Sequence, residues 1–301
     1  MTPAHKAGDN ARNRGAMKTG EKKSVDTINR IQNEQEIIGR ERELALALAI
    51  LDSGRHLLLE GPVGVGKTTV ALAVTRHLGR KTCRIDGDER YTENKLTGWF
   101  DPPLVLKMGY SSETFFPGPL VEAMREGAVL FINELNRMPE SVQNVLLPTL
   151  DEGTVILPRI GEVRAAPGFQ VIATQNPVEY IATGHLSEAL KDRFEHVVLD
   201  YQDEEEEKSI VSAITGCTDV ELVRNAVLLT RETRRDPRFR KGASIRAAIA
   251  MVQITRSLGG GDHFLEAALA ALPTRIELRD EEDSSFREIL LALIENVKKN
   301  S

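Results

Sequence analysis

The sequence has few cysteines, few aromatic residues and no long apolar run. Of its 301 residues only Cys83 and Cys217 are cysteines. They stand far apart, without His or Cys neighbours at ligand spacing, which excludes a disulfide framework and a zinc site. The longest uninterrupted apolar run, Leu44–Leu51, is too short to span a bilayer and is flanked by charge, so no membrane insertion is expected. No charged start is followed by an apolar core and a small-residue cleavage site, so no signal peptide is expected. The expectation is a soluble cytoplasmic protein. Aromatics reach 5%, and Lys+Arg 39 against Asp+Glu 45 leaves a formal charge of −6. That balance, with no basic aromatic-rich stretch, argues against nucleic acid as a partner. No internal repeat is visible.

What is present suffices for a globular chain. Hydrophobic residues make up 41%, enough for a real core, and the length suggests about two domains. Met1–Lys23 holds six Lys/Arg against two Asp/Glu without an apolar face, and reads as a mobile basic tail. Glu41–Leu51 reads as a helix stopped by Gly54. His56–Glu60, Cys83–Asp86, Ala128–Ile132, Phe169–Thr174 and His196–Leu199 read as short apolar strands alternating with helices. That alternation signals a parallel sheet covered on both faces. Thr154–Arg164 reads as a β-hairpin around Pro158–Gly161, and Pro148 predicts a kink in the helix before it. The acidic run Asp203–Glu207 reads as a solvated helix start. Beyond it, Val220–Arg231, Ser244–Leu258, Phe264–Leu272 and Phe286–Val297 show helical periodicity and no strand pattern returns.

Two segments carry chemistry. Gly61-Pro62-Val63-Gly64-Val65-Gly66-Lys67-Thr68 matches G-x-x-x-x-G-K-[ST] between a predicted strand and a predicted helix. Glycines let consecutive N–H groups turn toward phosphates, and the helix N-terminus adds attraction. Lys67 is placed to reach the β/γ oxygens and Thr68 to offer a hydroxyl to Mg²⁺. With Thr69 these residues form the expected ATP or GTP site. At the end of the third strand stand Asn133 and Glu134. A phosphate-loop enzyme carries there an Asp that orders Mg²⁺ through water, then a Glu that orients the attacking water. Asn133 offers a neutral carbonyl oxygen instead, which predicts weaker Mg²⁺ ordering. Glu134 is the candidate base.

Together with further segments these residues resemble the MoxR family of AAA+ ATPases, from about Ile38 to about Leu278. Phe131–Arg137 is similar to the family's strand followed by E-[IL]-N-R, and Gln143–Leu147 to its Q-N-x-L-L helix. Ala173–Pro177 matches A-T-Q-N-P and Leu186–Phe194 matches L-x-E-A-x-x-D-R-F. Gly242–Ala247 matches G-A-S-P-R-A except that Ile245 replaces the proline, which alters the cap of the lid helix. The resemblance implies an α/β phosphate-loop AAA+ sheet with helices on both faces, followed by a small all-helical lid. The boundaries expected from composition and periodicity are a basic tail over 1–27, the ATPase domain over 28–201 and the lid over 202–301. The resemblance also implies Asn176 as a sensor beside the γ-phosphate, Arg193 as an arginine finger toward a neighbouring subunit, and Arg246 as a second sensor. Thr97–Pro119 and the Thr154–Arg164 hairpin resemble insertions that face the pore of related rings.

The function implied is ATP hydrolysis with Mg²⁺ in a homo-oligomeric ring, a hexamer in the family. The ring would remodel or mature a client protein in a chaperone-like way, with a von Willebrand factor A domain protein as the implied partner. Rival readings are a nucleotide-gated adaptor with little hydrolysis, a chelatase-type ATPase, a gas-vesicle ATPase, and a motor on nucleic acid, which the charge balance disfavours.

Overall fold

The computed structural model describes residues 25–177, 186–279 and 285–299. Most of the expected basic tail lies outside them. A helix runs over 25–35, across the boundary expected at 28. Ile28 and Ile31 are buried on its inner side. The chain divides into two compact units. The first spans the residues up to Pro62 and Gly66–Leu199, and the second Val63–Val65 with the residues from Asp200 onward.

In the first unit the strands are β1 (His56–Glu60), β2 (Thr82–Asp86), β3 (Gly98–Phe100), β4 (Phe115–Pro117) and β5 (Val129–Asn133). They continue with β6 (Thr154–Leu157), β7 (Gly161–Arg164), β8 (Gln170–Gln175) and β9 (Phe194–Val198). Five of these make one sheet in the order β2-β5-β8-β1-β9, every neighbouring pair parallel. All five predicted strands are found, with ends shifted by a residue or two. The sheet is parallel because its middle is apolar on both faces. Leu57–Leu59, Val129–Ile132 and all of β8 are buried, which leaves no face for water. Helices Glu41–Asp52, Lys67–His77 and Pro119–Glu126 connect or cover the strands.

The predicted hairpin is β6–β7, with Leu157 opposite Gly161 and Arg159 at a left-handed φ of 69° in its turn. The segment expected as an inserted loop is ordered throughout. It forms the antiparallel ribbon β3–β4 around the short helix Pro102–Met108. Pro148 acts as expected, and upstream of itself: one helix ends at Asn144 and the next begins at Leu146. A proline cannot accept a helical turn whose carbonyl lies four residues back, here at Asn144.

The second unit is built of helices Glu204–Thr215, Val220–Arg235, Ile245–Ser257, Phe264–Ala271 and Phe286–Lys299. It also holds a small antiparallel ribbon, β10 (Phe239–Lys241) with β11 (Glu277–Leu278), so it is not purely helical. Pieces of three and two residues are too short to show a period in sequence. The acidic run needs a second correction. Asp203 does cap the helix by accepting from the Glu206 N–H, but Glu207 is buried rather than solvated. Its two oxygens accept from Arg231 at 2.8 Å and Arg234 at 2.7 Å. Arg234 also donates to the Ala243 carbonyl at 2.6 Å, and the Ala243 N–H donates to the Thr233 hydroxyl at 3.0 Å. These bonds fasten the segment that leads into helix Ile245–Ser257. That helix keeps its start at Ile245 although Ser244 makes no side-chain cap.

Candidate functional site

In a parallel sheet all the carboxyl ends share one edge, and there the loops after β1, β2, β5 and β8 meet. The phosphate loop leaves β1 at Gly61, whose N–H donates to the Gln175 carbonyl at the end of β8. Gly64 and Gly66 take left-handed φ values of 81° and 94°, conformations that favour glycine. Gly66 caps helix Lys67–His77. The Lys67 ammonium donates to the loop carbonyls of Gly61 at 2.7 Å and Pro62 at 2.9 Å, so the cation sits over its own loop. Val65 in the loop is buried, whereas Thr69 is exposed on the helix.

Beside the loop stands a chain of hydrogen bonds centred on Asn133. Its Oδ1 accepts from the Thr68 hydroxyl at 3.2 Å and from the Thr174 hydroxyl at 3.0 Å. Its Nδ2 donates to Asp86 Oδ1 at 2.9 Å, across the pair of strands in which Asp86 and Asn133 lie opposite each other. Asp86 also accepts from Arg84 at 3.0 Å. Burial pushes the Asp86 carboxyl up, but the hydrogen bonds from Arg84 and Asn133 outweigh it and hold the group below its ordinary range.

Glu134 follows with a left-handed φ of 57°, unusual for a residue with a side chain. Its N–H donates to Thr174 Oγ1 at 2.8 Å, and its Oε2 accepts from Arg137 at 2.8 Å. The conformation is held from outside by Gly87, whose N–H donates to the Asn133 carbonyl at 2.7 Å. A Cβ on Gly87 would lie 2.1 Å from the Glu134 carbonyl oxygen, so the approach requires glycine. Asn176 lies just past β8, 3% exposed, on the same edge.

The predicted loop, Thr68, Asn133, Glu134 and Asn176 are therefore gathered on one edge. Arg193 is not among them. It precedes β9, whose first residue Phe194 lies level with His56 at the start of β1. The phosphate loop begins beyond the far end of β1, a strand of about 16 Å. Arg193 binds Asp151 instead, through Nε at 2.7 Å and its terminal nitrogen at 2.6 Å, and also donates to the Ala189 carbonyl. Arg246 is exposed at the second position of helix Ile245–Ser257 in the second unit.

The sequence of the chain points the same way as this edge. The profile of the AAA domain (dynein-related subfamily) matches residues 56–194. The gas vesicle ATPase GvpN of Haloferax mediterranei is 31% identical over 262 residues, covering 79% of this chain and 75% of that protein. The chain belongs to the AAA+ ATPase family. A second gas vesicle ATPase GvpN, from Ancylobacter aquaticus, is 29% identical, covering 82% of this chain and 76% of that protein. A RuvB mutant of Thermotoga maritima superposes with a TM-score of 0.50 at 20% identity, covering 87% of this chain and 71% of that one, a likeness of fold.

Asp86, Gly87, Thr174 and Arg137 complete this AAA+ site, and the sequence assigns none of them a role, although Arg137 ends the matched E-[IL]-N-R segment. Thr174 lies inside the matched A-T-Q-N-P segment and Asp86 ends a predicted strand. Only strand order reveals that both flank Asn133. Among the described residues no helix is long and apolar enough to cross a membrane.

Proposed function

We propose that this AAA+ protein hydrolyses ATP at the β1–β5–β8 edge, in a ring whose subunits complete one another's sites. The observation that carries the reading is the placement of Glu134 beside the phosphate loop, with its backbone bound to Thr174 and its carboxylate to Arg137. In this role the loop amides and Lys67 hold the β- and γ-phosphates. Glu134 accepts a proton from the attacking water, and Asn176 orients that water or the γ-phosphate. Arg193 points to assembly, because it is remote from its own phosphate loop and only a neighbour's nucleotide gives it a catalytic task. A closed ring, a hexamer by resemblance, gives every site one such arginine.

The donor set fits Mg²⁺. This hard cation takes oxygen ligands, and the Thr68 hydroxyl and Asn133 Oδ1 are oxygens 3.2 Å apart. Thr68 would hold it directly and Asn133 through water. Bound there, Mg²⁺ would neutralise charge building on the phosphate oxygens.

The work done by the ring is read as remodelling of a protein client. Trp99 and Phe116 stack at 6.2 Å on the β3–β4 ribbon and stay about half exposed, and Ile156 is 80% exposed on the β6–β7 hairpin. Arg159 in the hairpin turn lies over the Tyr110 ring at 5.3 Å and links the two insertions, which gives them one path of response. Both gas vesicle relatives favour a gas-vesicle role over the MoxR-type task with a von Willebrand factor A partner. A cytoplasmic location accords with it.

The neutral Asn133 favours a second reading, a nucleotide-gated adaptor that barely turns over. Mg²⁺-ATP turnover per subunit, measured over a wide range of protein concentration, separates the two. The proposal expects specific activity that rises with concentration and is lost by at least about a hundredfold in Glu134→Gln, with ATP binding kept. Confirmed binding with background turnover at every concentration would establish the adaptor.

A further inference from the structure

We infer that Asp86 supplies toward the nucleotide-bound cation the negative charge that Asn133 lacks, so that the two side chains act as one divided carboxylate. The inference rests on the reading of this edge as a Mg²⁺-nucleotide site and names a residue that the phosphate-loop motifs do not include. Asp86 and Asn133 are register partners on adjacent parallel strands. Side chains at such positions leave the sheet on the same face. The Asn133 carboxamide bridges the two sides of the arrangement. Its Nδ2 is tied to Asp86 Oδ1 at 2.9 Å and its Oδ1 to the Thr68 hydroxyl at 3.2 Å. This polarity has one sense only. The carboxylate can only accept, which turns the amide nitrogen toward β2 and the carbonyl oxygen toward the phosphate loop.

The charge on Asp86 strengthens that arrangement in two ways. A charge-assisted hydrogen bond polarises the amide and makes its oxygen a better acceptor for a cation-bound water. The carboxylate also adds its own field one side chain away. Arg84 offsets part of that field through its 3.0 Å pair, but the Arg84 side chain is 45% exposed and the Asp86 side chain 61% exposed. A pair so open to solvent is weakly held, and it leaves Asp86 accessible to water between it and the cation. Gly87, next in sequence, keeps β2 pressed against the Asn133 carbonyl and fixes the distance between the partners.

The test measures cation affinity rather than turnover. A fluorescent ATP analogue is bound to the full chain and titrated with Mg²⁺, and the concentration giving half the Mg²⁺-dependent change is read. Asp86→Asn keeps an oxygen that can accept from the Asn133 amide and removes only the charge. The expected result is a rise of about tenfold or more in the Mg²⁺ required, with analogue affinity in chelator unchanged. Asn133→Asp alone sets two carboxylates against each other and is expected not to improve Mg²⁺ affinity. The exchange variant, Asp86→Asn with Asn133→Asp, restores one charge on the other strand and is expected to recover the wild-type requirement. Such recovery would not follow if Asp86 merely held the fold. An unchanged Mg²⁺ requirement in Asp86→Asn, or an exchange variant no better than Asp86→Asn, overturns the inference while leaving the nucleotide site standing. A wild-type chain that binds the analogue without any Mg²⁺ dependence overturns the inference together with the reading of this edge as a Mg²⁺ site, and one that does not bind the analogue overturns the nucleotide site itself.

Discussion

Arg137 donates to the carboxylate of Glu134 at 2.8 Å, so the candidate base is held by a residue three positions after it. The intervening Leu135–Arg137 is a single 3-10 turn, tight enough to bring the guanidinium back over Glu134. One carboxylate oxygen is engaged in this pair, and the side chain is thereby fixed in direction. If turnover depends on that orientation, Arg137→Ala lowers kcat by about tenfold while the KM for ATP changes little. Steady-state kinetics check it. An unchanged kcat would mean that Glu134 is positioned by its backbone alone.

Gly87 sets the backbone of the same site. Adding one methyl group there meets the Glu134 carbonyl oxygen at 2.1 Å, which no side-chain motion relieves. Gly87→Ala is expected to destabilise the fold by about 1–3 kcal/mol and to weaken the Asn133–Glu134 geometry as well. Urea unfolding gives the first effect and turnover of the folded fraction gives the second.

The course of the β1–β5–β8 edge was legible because its signals are local. The phosphate loop is a contiguous motif, and the buried strands announce themselves as apolar runs such as Val129–Ile132. The same locality explains the omissions. Asp86 meets Asn133 only because β2 lies beside β5, and Thr174 reaches Glu134 only because β8 lies on the other side. Neither neighbour is written in residue spacing. The burial of Glu207 escapes the sequence for a related reason. Its partners Arg231 and Arg234 are on a different helix, and their charges repay a burial that an acidic run does not suggest. The short β10–β11 ribbon left no period to read.

His56 at the start of β1 makes acid stability measurable. Its ring lies edge-on to Phe169 at 6.4 Å and Phe194 at 6.3 Å, and its Nδ1 accepts from the Val171 N–H at 3.0 Å. Burial, with a smaller contribution from Arg55, lowers its pKa against the raising effect of a hydrogen bond with the Leu150 backbone. The unfolded chain, with an ordinary value of about 6.5, then takes up the proton first as pH falls. Stability is full above that value and is lost as pH drops from it toward the lower folded pKa. His56→Gln should therefore shrink the fall in urea midpoint between about pH 7.5 and about pH 5.5. An equal fall in both proteins would show that His56 does not report on folding in this range.

If each site is completed by a neighbour, two differently defective subunits restore one another when they are mixed. Lys67→Ala removes the phosphate-binding cation but keeps Arg193, and Arg193→Ala does the reverse. Each is expected to be nearly inactive alone, and the mixture to regain ATP turnover through sites that pair an intact Lys67 with an intact Arg193 from the adjoining subunit. A mixture as inactive as its components, under conditions where the subunits are shown to co-assemble, would contradict completion by a neighbour.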